Sequence, residues 1–306
     1  MQSKTKYNIT PPQIRSIFAA AGLGDVTDVT PMSDGWYNNV LSVTANGKDY
    51  VIKVAPELTV KVLTHEHDLL RQELRFIALL REHGVSVPKV YFGDCGKTLI
   101  PCDYFIMEKL GGARLDKANL KGEAKEQADA QIHGILDAFH GIKGEGFGYE
   151  QMGLEPNWYL ALRRMTQALV DDCAGFGKSC RFGKKLLRYI DRHRAVLESV
   201  ESVLVNFDLH SMNLFYDQGK LTLIDLERCF WGDWIGDRIL RGYSPPKDFS
   251  RDERIRFYLL EGYLGLIMYT EKYSRYRPWN MTWWLDVGGS LFFRLVSLTP
   301  LKNKLF

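Results

Sequence analysis

The polar and apolar positions fall into two regimes along the chain. Thr10-Pro11-Pro12-Gln13 combines a cap, a proline in the first helical turn and a capping-box glutamine, predicting a helix to about Ala21. Residues 40–44 and 49–54 are rich in β-branched side chains and join through Ala45-Asn46-Gly47, a hairpin signal. From His65 to His83 the pattern turns helical: Leu70, Leu74, Ile77 and Leu80 form one stripe, with Gly84 and Pro88 as the stop. Short strands fit 89–92 and 104–108 before Leu110-Gly111-Gly112 breaks the pattern. Beyond the break, helical spacing dominates at 122–139, 158–171, 184–200, 251–273 and 282–298. The exception is 203–227, where the β-type runs VLVNF and KLTLIDLE enclose Asp208-Leu209-His210-Ser211-Met212-Asn213. The expected class is α+β: a small β-rich lobe over residues 1–107 and a larger helical lobe over 108–306. Ligand sites are favoured at such a junction.

Composition narrows the field. The chain has 306 residues, 45% hydrophobic and 12% aromatic, enough for a sizeable core without staples and too apolar for a disordered chain. Its 40 Lys+Arg against 37 Asp+Glu leave +3, too balanced for binding driven by a nucleic-acid backbone. Five cysteines without a C-x-x-C pair argue against a zinc ribbon or a disulfide framework. No secretory h-region or run of 18 apolar residues stands in the sequence. The expectation is a reduced, cytoplasmic protein with a small-molecule partner, and neither nucleic acid nor membrane.

Several residues stand out against this pattern. Lys53 lies inside YVIKV, a strand otherwise apolar or aromatic. It either snorkels from an edge or points into a cleft, where a lysine serves phosphates. Glu73 interrupts the apolar stripe of its helix, and a carboxylate there needs a cation, for which Lys53 is the natural candidate; otherwise the helix turns it to water. Asp208, Asn213 and Asp225 bring two hard oxygen ligands and a base to the ends of two β-type runs, though Asp and Asn also simply terminate strands. Ser33-Asp34-Gly35-Trp36-Tyr37-Asn38 precedes a strand and reads as a turn or as a phosphate-approaching loop. Glu227 and Asp233 suit a cationic acceptor or are structural. His65-Glu66-His67 lacks the H-E-x-x-H spacing and reads as a surface helix turn. Arg181, Lys184, Lys185, Arg188 and Arg192 read as a solvated helix face, the tail's Trp283, Trp284, Phe292 and Phe293 as core, and Cys229 as a small buried hydrophobe.

In order and spacing, this set resembles the aminoglycoside phosphotransferase and choline kinase-like family. Its S-G-G-x-x-N loop corresponds to residues 33–38, its strand lysine to Lys53, its helical glutamate to Glu73 and its hinge to YFIMEKLGG. LDAFHGIKGEGFG with His140, NFDLHSMN, LIDLE and GDWIGDRI follow in the family's order, so the resemblance runs from about Pro31 to Ile239. It implies a bilobal protein-kinase-like fold and transfer of the γ-phosphate of ATP or GTP, with Mg2+, to a hydroxyl of an amino-sugar, amino-alcohol or similar metabolite. Asp208 would be the catalytic base. Asn213 and Asp225 would hold metal. Ser33, Gly35, Asn38, Lys53, Glu73, Met107, Glu108 and Lys109 would meet the nucleotide. Three departures stand out: Asn206 where the family usually has His, Asp34 for the second loop glycine, and Trp234 for the proline of G-D-P. The last leaves a structural role for Asp237 open. The departures at Asn206 and Asp34 keep a catalytically silent, nucleotide-binding regulatory protein as an alternative. A hydrolase using Asp208, His210 and Asp225 is a further one.

Overall fold

Turn chemistry and strand alternation build the first layer. The computed structural model describes residues 3–32, 37–241 and 245–275; the loop at 33–36 and the helix expected at 282–298 lie outside the described residues. Helix α1 (Pro11–Ala20) begins at its capping box, where the Thr10 N–H donates to Gln13 Oε1 at 2.9 Å. Its Ile14, Ile17 and Phe18 pack on a five-stranded antiparallel sheet. The sheet comprises β1 (Val26–Pro31), β2 (Asn39–Ala45), β3 (Lys48–Val54), β4 (Val90–Asp94) and β5 (Tyr104–Glu108), in the order β1-β2-β3-β5-β4. Asn46 and Gly47, at φ 46° and 72°, close β2 onto β3, the left-handed pair a two-residue hairpin requires.

The helix expected from His65 starts later. Thr64–Glu66 is a single 3-10 turn, Asp68 takes a left-handed φ of 55°, and α2 (Leu69–Glu82) follows. Leu70, Ile77 and Leu80 are buried along its stripe, and Glu73 is buried among them.

After β6 (Ala113–Arg114) come α3 (Gly122–Gly141), α4 (Trp158–Gly175), α5 (Arg181–Arg192) and α6 (Arg194–Glu198). The single helix expected over 184–200 is broken at His193, whose N–H is shared by the carbonyls of Tyr189 and Ile190 at 3.1 and 3.2 Å, a tightened last turn. Four short strands follow: β7 (Val203–Val205), β8 (Leu214–Asp217), β9 (Lys220–Leu223) and β10 (Phe230–Gly232). They pair as β6-β8-β9 and β10-β7, and α7 (Arg251–Arg275) closes the described chain. The run expected as one strand through Glu227 stops at Leu223, because Asp225 takes φ 62°.

One apolar cluster ties the two parts together. It joins Leu70, Phe76 and Leu80 of α2 and Phe105 of β5 to Phe139 of α3 and to Leu204, Leu209, Leu223 and Trp231. The residues between the last four therefore sit at the junction. Among the described residues no helix is long and apolar enough to cross a membrane.

Candidate active site

Lys53 lies on β3, between β2 and β5. Strand alternation sends Ile52 and Val54 into the core under α1, and so sends Lys53 to the opposite face, toward α2. The snorkelling alternative fails, because Lys53 is only 7% exposed. Its Nζ meets Glu73 Oε2 at 2.8 Å, Glu227 Oε1 at 2.6 Å and Asp225 Oδ1 at 3.2 Å. One ammonium is thus shared by three carboxylates. Burial works against charge on Lys53, but the fields of Asp225, Glu227 and Glu73 override it and hold the ammonium well above the ordinary lysine range. The same shortage of positive charge appears on the acids. Burial raises Glu73 despite Lys53, and burial together with Asp225 and Glu73 pushes Glu227 up to about 8. Asn38 also donates to Glu227 Oε1.

The loop after β7 is fixed from several directions. Asp237 is fully buried; its Oδ1 accepts the N–H of Asn206 at 3.0 Å and of Phe207 at 2.9 Å, and its Oδ2 meets His140 Nε2 at 2.9 Å. Phe207 is held at φ 59°. Asn206 Oδ1 accepts the Asp208 N–H at 2.9 Å. Asn213 Nδ2 donates to the Asp208 carbonyl at 3.1 Å and lies 3.3 Å from its Oδ2, which leaves the Asn213 carbonyl oxygen for a ligand. The Asn213 main-chain carbonyl accepts the Ile224 N–H at 2.9 Å, stitching this loop to the arm that carries Asp225. Burial raises Asp208, opposed by Arg228 and reinforced by Asp225.

The sequence profile of a phosphotransferase enzyme family matches residues 28–278. The chain belongs to that family. No curated protein matches this phosphotransferase in sequence, but many solved structures share its fold. A structure described as a fructosamine-3-kinase from Haemophilus somnus has a TM-score of 0.60 at 14% identity, over 92% of this chain and 96% of that one. One described as an aminoglycoside phosphotransferase from Ralstonia eutropha has 0.63 at 15%, over 92% and 94%. The ternary complex of APH(2'')-IIa with streptomycin and ATP has 0.58 at 16%, over 95% and 97%. The fold is therefore the one that the aminoglycoside phosphotransferases adopt.

The structure brings Asn38, Lys53, Glu73, Asp208, Asn213 and Asp225 of the phosphotransferase to one junction; Ser33 and Gly35 lie outside the described residues. Met107 and Glu108 end β5, which lies between β3 and β4, and Lys109 follows it. There Glu108 donates its N–H to the Lys89 carbonyl at 2.8 Å and its carboxylate accepts the Lys89 N–H, while Lys109 donates to Asp49 at 2.9 Å. The charged side chains of this segment are thus engaged elsewhere.

Other expectations change. Glu227 faces Lys53, and Asp233 is buried against Arg256 at 3.1 Å, so neither is an open carboxylate for a cationic acceptor. His65 and Glu66 are buried, because the His65 ring stacks on Tyr149 and the Glu66 carboxylate takes the Leu63 N–H at 2.8 Å. Asp237 is structural after all. Cys229 is fully buried, as expected of a small hydrophobe. Arg228 and Glu271 escape the sequence reading. Arg228 Nη1 lies 3.4 Å from Asp208 Oδ1, and its Nη2 meets Glu271 at 2.9 Å. The available signal was the one used for Glu73, a carboxylate inside an apolar helical stripe.

Proposed function

We propose that this phosphotransferase moves the γ-phosphate of ATP to a hydroxyl of a small metabolite, with Mg2+ and with the residues of the junction in the roles their contacts suit. The carrying observation is the charge imbalance around Lys53. A single ammonium faces Glu73, Asp225 and Glu227, all within 3.2 Å. Such a surplus of carboxylates around one ammonium calls for a further cation, and hard carboxylate and amide oxygens suit Mg2+. Asp225, 40% exposed at its side chain, and the free amide oxygen of Asn213 are the donors that would hold it. Bound there, the metal would neutralise phosphate charge.

Phosphoryl transfer is mostly positioning and charge neutralisation. Lys53, oriented by Glu73, presents its ammonium to the nucleotide phosphates. Asn38, anchored on Glu227, belongs to the same cluster. The backbone of Met107, Glu108 and Lys109 forms the edge against which the base lies. Asp208, raised by burial and about a fifth exposed, accepts or orients the proton of the acceptor hydroxyl. The acceptor screen starts with amino-sugars and amino-alcohols, since structures of this fold carry streptomycin and hygromycin B.

The test is nucleoside diphosphate release from ATP across that panel, with wild type and Asp208→Ala. Acceptor-dependent release should vanish in Asp208→Ala while Mg·ATP still raises its melting temperature. A pure Asp208→Ala protein with wild-type turnover refutes the assignment.

A further inference from the structure

Arg228 faces two carboxylates and serves them unequally. Its Nη2 lies 2.9 and 3.1 Å from the two oxygens of Glu271, whereas its Nη1 lies 3.4 Å from Asp208 Oδ1. Glu271 is fully buried on α7, and an ionised carboxylate there must keep a cation; Asp208 keeps a water-accessible edge. The guanidinium is a rigid planar fork, so docking on Glu271 fixes how near it can come to Asp208. We infer that Glu271 is a positioning residue, which anchors Arg228 short of Asp208 and so keeps that carboxylate open to the acceptor hydroxyl. The inference rests on the phosphotransfer reading above.

The consequence of losing the anchor follows from the same distances. Without charge at Glu271, the Asp208 carboxylate already stands 3.4 Å from the guanidinium. Arg228 would close from 3.4 Å to the separation of a normal charge-assisted bond, about 2.8 Å. Asp208 Oδ1 would then be held by Arg228, while Oδ2 already faces Asn213 Nδ2 at 3.3 Å. Each oxygen would then face a donor, which stabilises the ionised carboxylate and makes Asp208 a weaker base. The nucleotide side, built on Lys53, would be untouched. His65 and Glu66, whose ligand atoms lie within 4.8 Å of those of Glu271, share its buried pocket, so α7 and the turn before α2 both bear on this anchor.

The experiment is a double-mutant cycle on the full chain with Glu271→Gln, Arg228→Gln and the pair, following release of ADP from Mg·ATP with water and with the best panel compound as acceptor. Glu271→Gln should lower kcat about tenfold or more, a part of what a positioned base contributes. The KM for Mg·ATP should stay within about twofold, since Lys53 is unaltered. In the Arg228→Gln background the same change should alter kcat less than about twofold, because no guanidinium remains to swing. An equal loss in both backgrounds, or a loss in KM alone, overturns the inference. Should Glu271→Gln not fold, Glu271→Asp keeps the charge and should hold kcat within about threefold; a tenfold loss there with normal Mg·ATP binding overturns it equally. A wild-type protein that releases no ADP sinks the phosphotransfer reading itself, and this inference with it.

Discussion

Asp237 carries three hydrogen bonds on one buried carboxylate, and their loss can be sized. Its Oδ1 takes two main-chain N–H groups, of Asn206 and Phe207, and its Oδ2 meets His140. Asp237→Ala orphans both N–H groups at about 1–3 kcal/mol each, and releases Phe207 from a left-handed φ of 59°. The expected destabilisation is about 3–5 kcal/mol, read as a lowered Tm. Asp237→Asn keeps an oxygen for the two N–H groups and an amide for His140, losing only charge assistance, about 1 kcal/mol. Turnover should fall further than stability, because the same backbone positions Asp208; misplacement by about 1 Å is enough for roughly a 100-fold loss. Thermal unfolding, with ADP release measured well below either Tm, reads both effects. An alanine variant within about 1 kcal/mol of wild type, or an asparagine variant worse than alanine, refutes the account.

Two further outcomes follow from the buried charges. Lys53→Met leaves three carboxylates without their shared cation, and should destabilise the protein by about 3–5 kcal/mol in EDTA, with Mg2+ recovering part of the loss; a variant as stable as wild type in EDTA contradicts this. Burial pushes Asp233 up to about 6 against the pull of Arg256, while the unfolded group titrates near 3.8. Between those values the folded state binds more protons, so this contribution to stability falls as pH rises from about 4 to 6, by about 3 kcal/mol at most. Asp233→Asn should flatten that slope in urea unfolding at the two pH values. Matching slopes for the two proteins would rule it out.

What the sequence discloses is local. The hairpin at Asn46-Gly47, the capping box at Thr10 and the anomalous Glu73 on an apolar stripe each follow from a short window, and each recurs in the structure. The family's order of motifs links windows far apart, and so brings Lys53 to Asp225. The sequence is silent where geometry depends on a φ angle or a distant partner. Asp225 ends its strand early because it turns left-handed, and Asp68 delays α2 in the same way. The hairpin of β8 and β9 turns at Gln218-Gly219, which take φ of 46° and 85°. Glu227 and Asp233 suit a cationic acceptor in one dimension. In three, Asp233 faces Arg256, and Glu227 shares Lys53 with Glu73 and Asp225.

The departures from the family pattern are informative for the same reason. Asn206 stands where histidine is usual, yet its side-chain oxygen caps the Asp208 N–H at 2.9 Å and its amide reaches Cys229 Sγ at 3.7 Å. The loop is therefore held by a local turn at Asn206 and by the long-range clamp of Asp237, two supports of different origin. Trp234 replaces the usual proline without loosening that clamp, since it packs edge-on against both His140 and Phe249. Edge-to-face packing beside the clamp stands here where a fixed φ would stand elsewhere. A motif letter can change while the physical constraint it served is met by other atoms. Here the constraint met is a fixed backbone beneath residue 208, held by the Asn206 side chain on one side and the Asp237 carboxylate on the other.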